Sequence, residues 1–179
     1  MPTYVGVLRA INLGSHNKIA MSELRAMIDK IGFGEPKTLL LSGNVVFSCA
    51  SRSAPRVEKQ LEEASTKHLG VTTDYFVRTA KEWRAIINAN PFQKEANRDP
   101  GHLLMMCLRD APSAEQVKAL QAAIKGREIV KASGRQAYFV YPDGQGRSRL
   151  TIQVIEKALG TRGTARNWNT VLKLRELAQ

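Results

Sequence analysis

The chain has 179 residues, of which 43% are hydrophobic and 24% charged, and its formal net charge is +11. This composition is typical of a globular protein and excludes a disordered chain. No apolar run is long enough to cross a bilayer, and the apolar N-terminal stretch, interrupted by Arg9, is too short for a signal peptide. We therefore expect a soluble, cytoplasmic protein with no membrane partner.

The predicted elements of the first half follow the order βαββαβα. A strand over Tyr4–Ile11 leads to an amphipathic helix that Ser22 caps, and a hairpin turns at Ser42–Asn44. A second helix begins at Ser53. A further strand then leads to a closing helix, where Thr79 and the glutamate three residues later form a capping box.

The same order recurs in the second half. A strand covers His102–Arg109, and Ser113 opens a helix with a second capping box. A hairpin turns at Ser133-Gly134, Ser148 caps the next helix, and Asn169 caps a last helix after a short strand. The loop after the first strand is longer in the first half than in the second. Because loops tolerate extension and scaffolds position them, this extended loop is the first place to look for function.

The repeated order predicts an α+β fold of two tandem ferredoxin-like halves, each with an antiparallel sheet. We expect the first half at residues 1–92 and the second at residues 102–179. The polar, proline-bracketed segment 93–101 is the predicted linker. The strands have few polar residues at alternate positions, which favours partly covered sheet faces.

The two cysteines, Cys49 and Cys107, lie far apart in apolar, strand-like runs. Their spacing is not that of a metal site, so we predict two buried free thiols in a reducing compartment. No metal site and no cofactor are predicted.

The extended loop is the first candidate site. Its glycine lets backbone N–H groups converge, the helix that follows favours negative charge, and its lysine adds a cation. These features predict an anion-binding site formed by Arg9, Asn12, Gly14, Ser15, Asn17 and Lys18. Alternatively, the two asparagines only hydrogen-bond the backbone of a long turn. Asn44, in the hairpin turn, is expected at the opposite end of the sheet from Arg9.

A second candidate patch lies before the last helix, where Arg166, Trp168 and Asn169 are close in sequence. An arginine beside an indole can hold a phosphate or stack on a base. Alternatively, Trp168 packs in the core, Asn169 caps the helix and Arg166 is solvated.

The sequence contains no recognisable catalytic motif. His16 is the one histidine in a polar loop, and no nucleophile, base and carboxylate occur in a catalytic order. Whether the chain is an enzyme stays open. Tyr138, Phe139 and Tyr141 partly match the aromatic strand of an RNA-binding sheet, although ordinary strand propensity also explains them.

Three segments, "LRAINLGSHNKIAMSELR", "LLLSGNVVF" and "TARNWNTVLKL", resemble the signature segments of domain-of-unknown-function family 1697, a group of uncharacterised bacterial proteins. The resemblance covers essentially the whole chain. The family pattern has glycine where this chain has Ala10 and Ser15, and glutamine where it has Leu41. Because the family has no established activity, the resemblance implies no catalytic residues.

The net charge attracts nucleic acid or phosphorylated molecules, but it is spread over both halves and no polybasic run concentrates it. The leading hypothesis is a cytoplasmic protein that binds an anionic ligand, either nucleic acid or a phosphorylated metabolite, through the extended loop. The alternatives are a small phosphate-handling enzyme and a module for protein interaction or self-assembly. The sequence predicts no oligomeric state.

Overall fold

The computed structural model describes residues 1–179, which form eight strands, seven α-helices and one 3₁₀ turn. The first elements are β1 (Thr3–Leu8), α1 (Met21–Lys30), β2 (Gly34–Thr38), β3 (Asn44–Ser48), α2 (Ala54–Leu69), β4 (Tyr75–Thr79) and α3 (Ala80–Asn88). They are followed by α4 (Gln93–Arg98), the 3₁₀ turn (Pro100–His102), β5 (Leu103–Leu108), α5 (Ala114–Ala123), β6 (Ile129–Ser133), β7 (Gln136–Val140), α6 (Ile152–Leu159), β8 (Gly163–Asn167) and α7 (Trp168–Leu177). None of the helices combines the length and apolarity needed to cross a bilayer.

The two sheets have the same strand order. The first is β2-β3-β1-β4 and the second is β6-β7-β5-β8. All neighbouring strands are antiparallel, so β1 and β5 occupy equivalent inner positions. This arrangement is the one that a βαββαβ ferredoxin-like chain adopts. The predicted α+β fold of two similar halves is confirmed.

The chain divides into two compact units. One comprises Met1–Ala85 together with Lys173–Gln179, and the other comprises Ile86–Leu172. Both boundaries between the units fall inside helices, α3 and α7. The expected linker, residues 93–101, carries α4 and part of the 3₁₀ turn. The division into halves at residues 1–92 and 102–179 stays a prediction.

In the first unit, α1 and α2 cover one face of the sheet. Leu24 of α1 and Leu61 of α2 are buried there. The ring of Phe47 stacks on that of Tyr4, with centroids 5.8 Å apart, and on that of Phe33, with centroids 5.3 Å apart. The inner strands are buried on both faces, which explains why their sequences are continuously apolar.

In the second unit, α5 and α6 contribute Leu120 and Ile155 to the equivalent core, where they lie with Phe139 and Tyr141. Tyr138 points to the other face of its sheet and is buried as well. The three aromatic side chains that partly match an RNA-binding strand are therefore all buried. No base can stack on them in this structure.

Two predicted capping boxes are present. Thr79 and Glu82 exchange hydrogen bonds, with N–H to oxygen distances of 2.7 Å and 3.1 Å. Ser113 and Gln116 do the same, at 2.8 Å and 3.1 Å. Each box is formed by side chains three residues apart, so the local sequence is enough to specify it.

Three other predicted caps are wrong. Helix α1 already includes Ser22 in its first turn. Thr151, not Ser148, caps α6, because its hydroxyl oxygen accepts the N–H three residues further on at 3.4 Å. Asn167, not Asn169, caps α7, and its side-chain oxygen accepts the N–H three residues further on at 3.1 Å. Ala20 precedes α1, which has no side-chain cap. In α6 and α7 the residue directly before the helix is the cap.

The connection in the first hairpin is longer than predicted. The apolar run Leu39, Leu40 and Leu41 lies between β2 and β3 and belongs to neither strand. The Asn44 side-chain amide donates to the Leu39 carbonyl oxygen at 2.7 Å and to Ser42 Oγ at 3.0 Å, which holds the connection closed. Leu40 adopts a left-handed conformation with φ of 60°. As a result, Leu40 and Leu41 are exposed to solvent.

The free edge of β4 is sealed by carboxylates. This strand lies at the margin of its sheet, so its outward N–H groups need partners from outside the sheet. Three glutamate carboxylates accept hydrogen bonds from these N–H groups. Glu62 accepts from the Tyr75 N–H at 3.0 Å and Glu58 from the Val77 N–H at 2.9 Å. Glu82 accepts from the Thr79 N–H at 2.7 Å. The edge is therefore closed to pairing with another strand.

Cys49 and Cys107 are free and buried, which confirms the predicted free thiols. We expect neither to react quickly with a bulky thiol reagent in the native protein, because a buried thiol is shielded and its thiolate is poorly solvated. Labelling followed by mass spectrometry, with and without guanidinium, measures this. Rapid native labelling of either cysteine would contradict the expectation, and full labelling in guanidinium is the positive control.

Candidate functional site

The extended loop between β1 and α1 folds back on itself. Its ends are anchored by Ile11 and Ile19, both buried in the core of the first unit. The Asn12 N–H donates to the Asn17 carbonyl oxygen at 3.0 Å. Both asparagines have positive φ, 54° and 49°, and so does Gly14 at the tip, at 60°. The loop is thus a compact, defined structure rather than a slack connection.

The Asn12 side chain holds this loop together. Its amide donates to the carbonyl oxygens of Ile19 at 3.0 Å and Leu41 at 2.7 Å, and its oxygen accepts the Ile19 N–H at 2.8 Å. Asn17 Nδ2 lies 3.5 Å from the Ala10 carbonyl oxygen. The two asparagines therefore shape the loop, as in the alternative interpretation of the sequence.

The hairpin connection, residues 39–43, lies beside the extended loop. Val7 of β1 pairs with Asn44 of β3, and the Leu8 N–H donates to the Gly43 carbonyl oxygen at 2.9 Å. The expectation that Asn44 lies at the opposite end of the sheet from Arg9 is therefore wrong. In an antiparallel pair one strand ends where its neighbour begins. Asn44 itself is buried.

The two loops approach closely because residue 43 is a glycine. Gly43 has φ of 85°, and a Cβ atom there would lie 2.6 Å from Ile11 Cδ1 and 2.8 Å from Leu8 Cβ. The extended loop (residues 10–19) and the hairpin connection (residues 39–43) form one surface feature, which we term the two-loop projection.

The outer part of the two-loop projection is exposed. Leu13 is 66% exposed, Leu40 55% and Leu41 68%. Ser15 and Lys18 are exposed as well. Apolar and basic side chains are therefore both exposed on this feature, and the residues at its tip face solvent.

Arg9 lies at the base of the projection and is half-buried. Its N–H donates to the Asp74 carbonyl oxygen at 3.1 Å, and its carbonyl oxygen accepts from Thr73 Oγ1 at 2.6 Å. The six predicted site residues thus divide into two groups. Arg9, Asn12 and Asn17 take part in holding the loop, and the tip and Lys18 face solvent.

Two residues of the projection adopt strained conformations. Ala10 and Leu40 have φ of 51° and 60°, a region that side chains other than glycine and asparagine seldom enter. Each costs about 1–3 kcal/mol, and such strain is concentrated at functional sites.

The second candidate patch is not one surface. Arg166 is 9% exposed, and its Nη1 donates to Thr164 Oγ1 and to the Ala165 carbonyl oxygen, each at 2.9 Å. Burial lowers the pKa of Arg166 to about 10. Trp168 is also buried, while Asn169 is exposed. The indole packs in the core as the alternative interpretation has it, but Arg166 is buried rather than solvated.

Groups suited to metal binding or catalysis are not clustered. No three His, Cys, Asp or Glu side chains come together. His16 sits at the exposed tip of the extended loop. His102 Nδ1 lies 2.7 Å from Asp99 Oδ2, but both side chains are about half exposed. Sequence analysis did not identify Leu40 and Leu41 as surface residues, because an apolar run beside a turn is typical of a strand.

A ferredoxin-like βαββαβα unit occurring twice, with an extended loop and a glycine-packed hairpin in the first unit, defines the class of this protein. The family model described as "Protein of unknown function (DUF1697)" matches residues 1–138. The chain belongs to that family, as the resemblance of its three segments predicted.

The chain is also similar to a solved structure, that of the conserved bacterial protein SP0830 from Streptococcus pneumoniae. The two share 19% sequence identity with a TM-score of 0.76, over 99% of each chain. This likeness supports the fold. No curated protein matches the sequence.

Proposed function

We propose that this protein binds nucleic acid through the two-loop projection. The observation that carries the proposal is the exposure of the projection: a defined feature on which Lys18 and three leucine side chains are exposed together, on a chain of net charge +11. Small-molecule sites are concave and enclose most of their ligand. An exposed basic feature suits a macromolecular anion instead.

Each exposed group has a role in this proposal. Lys18 neutralises a phosphate, and the backbone N–H groups of Gly14 and Ser15, which make no hydrogen bond within the protein, donate to phosphate oxygens. Leu13 and Leu41 contact base edges or sugars, as apolar side chains do in grooves. Asn12 and its bonds keep these groups in position. A cytoplasmic location, where thiols stay reduced, suits the two free cysteines.

A second candidate function is binding to another protein. Three of the large hydrophobic side chains that are exposed, Leu13, Leu40 and Leu41, belong to the projection. Exposed apolar groups that lie close together often mark protein interfaces. In this case the leucines supply the affinity, and Leu41→Ser abolishes association while Lys18→Ala does not.

Lys18→Ala should weaken binding of a short fluorescent oligonucleotide by about fivefold or more, the effect of losing a charged hydrogen-bond partner. The slope of log affinity against log salt should fall by about one, because one phosphate contact is lost. Anisotropy titrations at several salt concentrations measure both quantities, for single-stranded and duplex probes.

The matched control is Lys30→Ala, which removes the same charge from the last turn of α1. It should leave the affinity nearly unchanged. Equal losses in both variants would mean that only net charge matters, and the proposal would be wrong. Absence of binding by the wild-type protein to every probe would also overturn it.

A further inference from the structure

The first unit contains a groove away from the two-loop projection, with a volume of about 650 Å³. It lies where α1 ends and where β3 passes into α2. Its apolar wall includes Ile31, Phe33 and Ala50, and its polar side includes Arg52 and Arg56. This volume falls within the range of small-molecule sites, about 300–1,000 Å³. No acidic residue lines it.

The two arginines have no structural role that accounts for them. Both are exposed, and neither forms a hydrogen bond or ion pair with the protein. They flank the start of α2, whose first turn carries no acidic residue. Cations are unfavourable there because the helix dipole places partial positive charge at that end. Helix stability therefore argues against these residues, and binding of an anion explains them.

The loop that carries Arg52 is held in place. The buried Tyr4 hydroxyl donates to the Ser51 carbonyl oxygen at 2.7 Å, and the Ser53 N–H donates to Ser51 Oγ at 3.3 Å. Phe33, which forms part of the apolar wall, is fixed by its stacking on Phe47. The groove is thus formed before any ligand arrives, which lowers the entropic cost of binding.

The second unit provides an internal comparison. The groove at the same place in its repeat, after α5 and after β7, has a volume of about 240 Å³. Two acidic residues, Glu128 and Asp143, line it beside Lys125, Arg147 and Arg149. Asp143 also forms an ion pair with Arg127. The same place in the repeat therefore carries an acid-free basic groove in the first unit and a smaller groove with both acidic and basic residues in the second.

From this contrast we infer that the groove of the first unit binds a mononucleotide. Arg52 and Arg56 hold the phosphate groups, since the guanidinium matches phosphate geometry. The base lies against Ile31 and Phe33. This site is separate from the two-loop projection, and the inference does not depend on binding of nucleic acid there.

Isothermal titration calorimetry with ATP and with inorganic triphosphate tests the inference. We expect one ATP per chain, bound more tightly than triphosphate because the base contacts the apolar wall. The double variant Arg52→Ala/Arg56→Ala should weaken ATP binding by about tenfold or more, since it removes two charged hydrogen-bond donors. All four arginines in the two grooves are exposed, so substitution should not disturb folding.

The control Arg147→Ala/Arg149→Ala removes the same charge from the corresponding groove of the second unit and should leave ATP affinity unchanged. Lys18→Ala should also leave it unchanged, which separates this site from the projection. Three results would overturn the inference: no ATP binding by the wild-type protein, equal losses in the two double variants, or equal affinity for triphosphate and ATP.

Discussion

Replacing Glu58 by alanine should lower the free energy of unfolding of the first unit by about 3–5 kcal/mol, the range for breaking a buried charge pair by removing one partner. Glu58 Oε1 accepts the Val77 N–H at 2.9 Å and lies 3.7 Å from Arg78 Nη1. The side chains of Glu58 and Arg78 are only 4% and 3% exposed. In Glu58→Ala the buried Arg78 guanidinium loses a nearby negative charge, and the Val77 N–H on the edge of β4 loses its carboxylate acceptor. Urea denaturation followed by circular dichroism measures the loss.

The control for Glu58→Ala is the double variant Lys59→Ala/Glu63→Ala. Lys59 and Glu63 also form an ion pair on α2, at 3.8 Å, but their side chains are 76% and 66% exposed. An exposed pair of this kind contributes less than about 0.5 kcal/mol. Glu58→Gln should fall between the two, because its amide oxygen still accepts the Val77 N–H. A loss below about 1 kcal/mol for Glu58→Ala would show that the pair is not important for stability.

Gly43→Val should destabilise the first unit by about 2–5 kcal/mol, and it should also displace the extended loop. The left-handed φ of 85° costs any side chain about 1–2 kcal/mol. A Cβ only 2.6 Å from Ile11 Cδ1 adds overpacking of about 1–3 kcal/mol. Thermal and urea unfolding measure the first effect, and amide chemical shifts of residues 10–19 measure the second.

Gly14→Ala measures the cost of a left-handed backbone conformation without the cost of steric overlap. Gly14 has φ of 60°, but nothing lies within 4 Å of the position that a Cβ would take. Its cost should therefore be about 1 kcal/mol, from backbone strain alone. If Gly43→Val and Gly14→Ala had equal effects, close approach of the two loops would not be what glycine provides at position 43.

Much of the fold was predictable because it depends on local patterns. The spacing of apolar residues, alternate in strands and about 3.6 residues apart in helices, predicted where the elements lie. Capping boxes such as Thr79 with Glu82 need only residues three apart. The strand order followed from recognising βαββαβ as a unit. The prediction failed where the local pattern was ambiguous. The leucines at positions 39–41 look like a strand, and only the bonds of the Asn44 amide show that they form a connection.

The candidate sites were harder to predict because they depend on contacts between distant residues. The bond from Asn12 to the Leu41 carbonyl oxygen joins two loops that are separate in sequence. Arg52 and Arg56 match no motif, and their interest lies in an acid-free groove that forms only once α1, β3 and α2 have packed. Arg166 and Trp168 alternate with asparagines in a way typical of an exposed patch, yet packing buries both.

The membership of Lys173–Gln179 in the first compact unit has a consequence for synthesis. Residues 1–85 leave the ribosome long before residues 173–179 do, although Leu174 and Ala178 are among the buried side chains. The nascent first unit therefore receives its last segment only after the whole of the second unit has been translated. A chain built this way completes its first unit last, although that unit is the first to be synthesised.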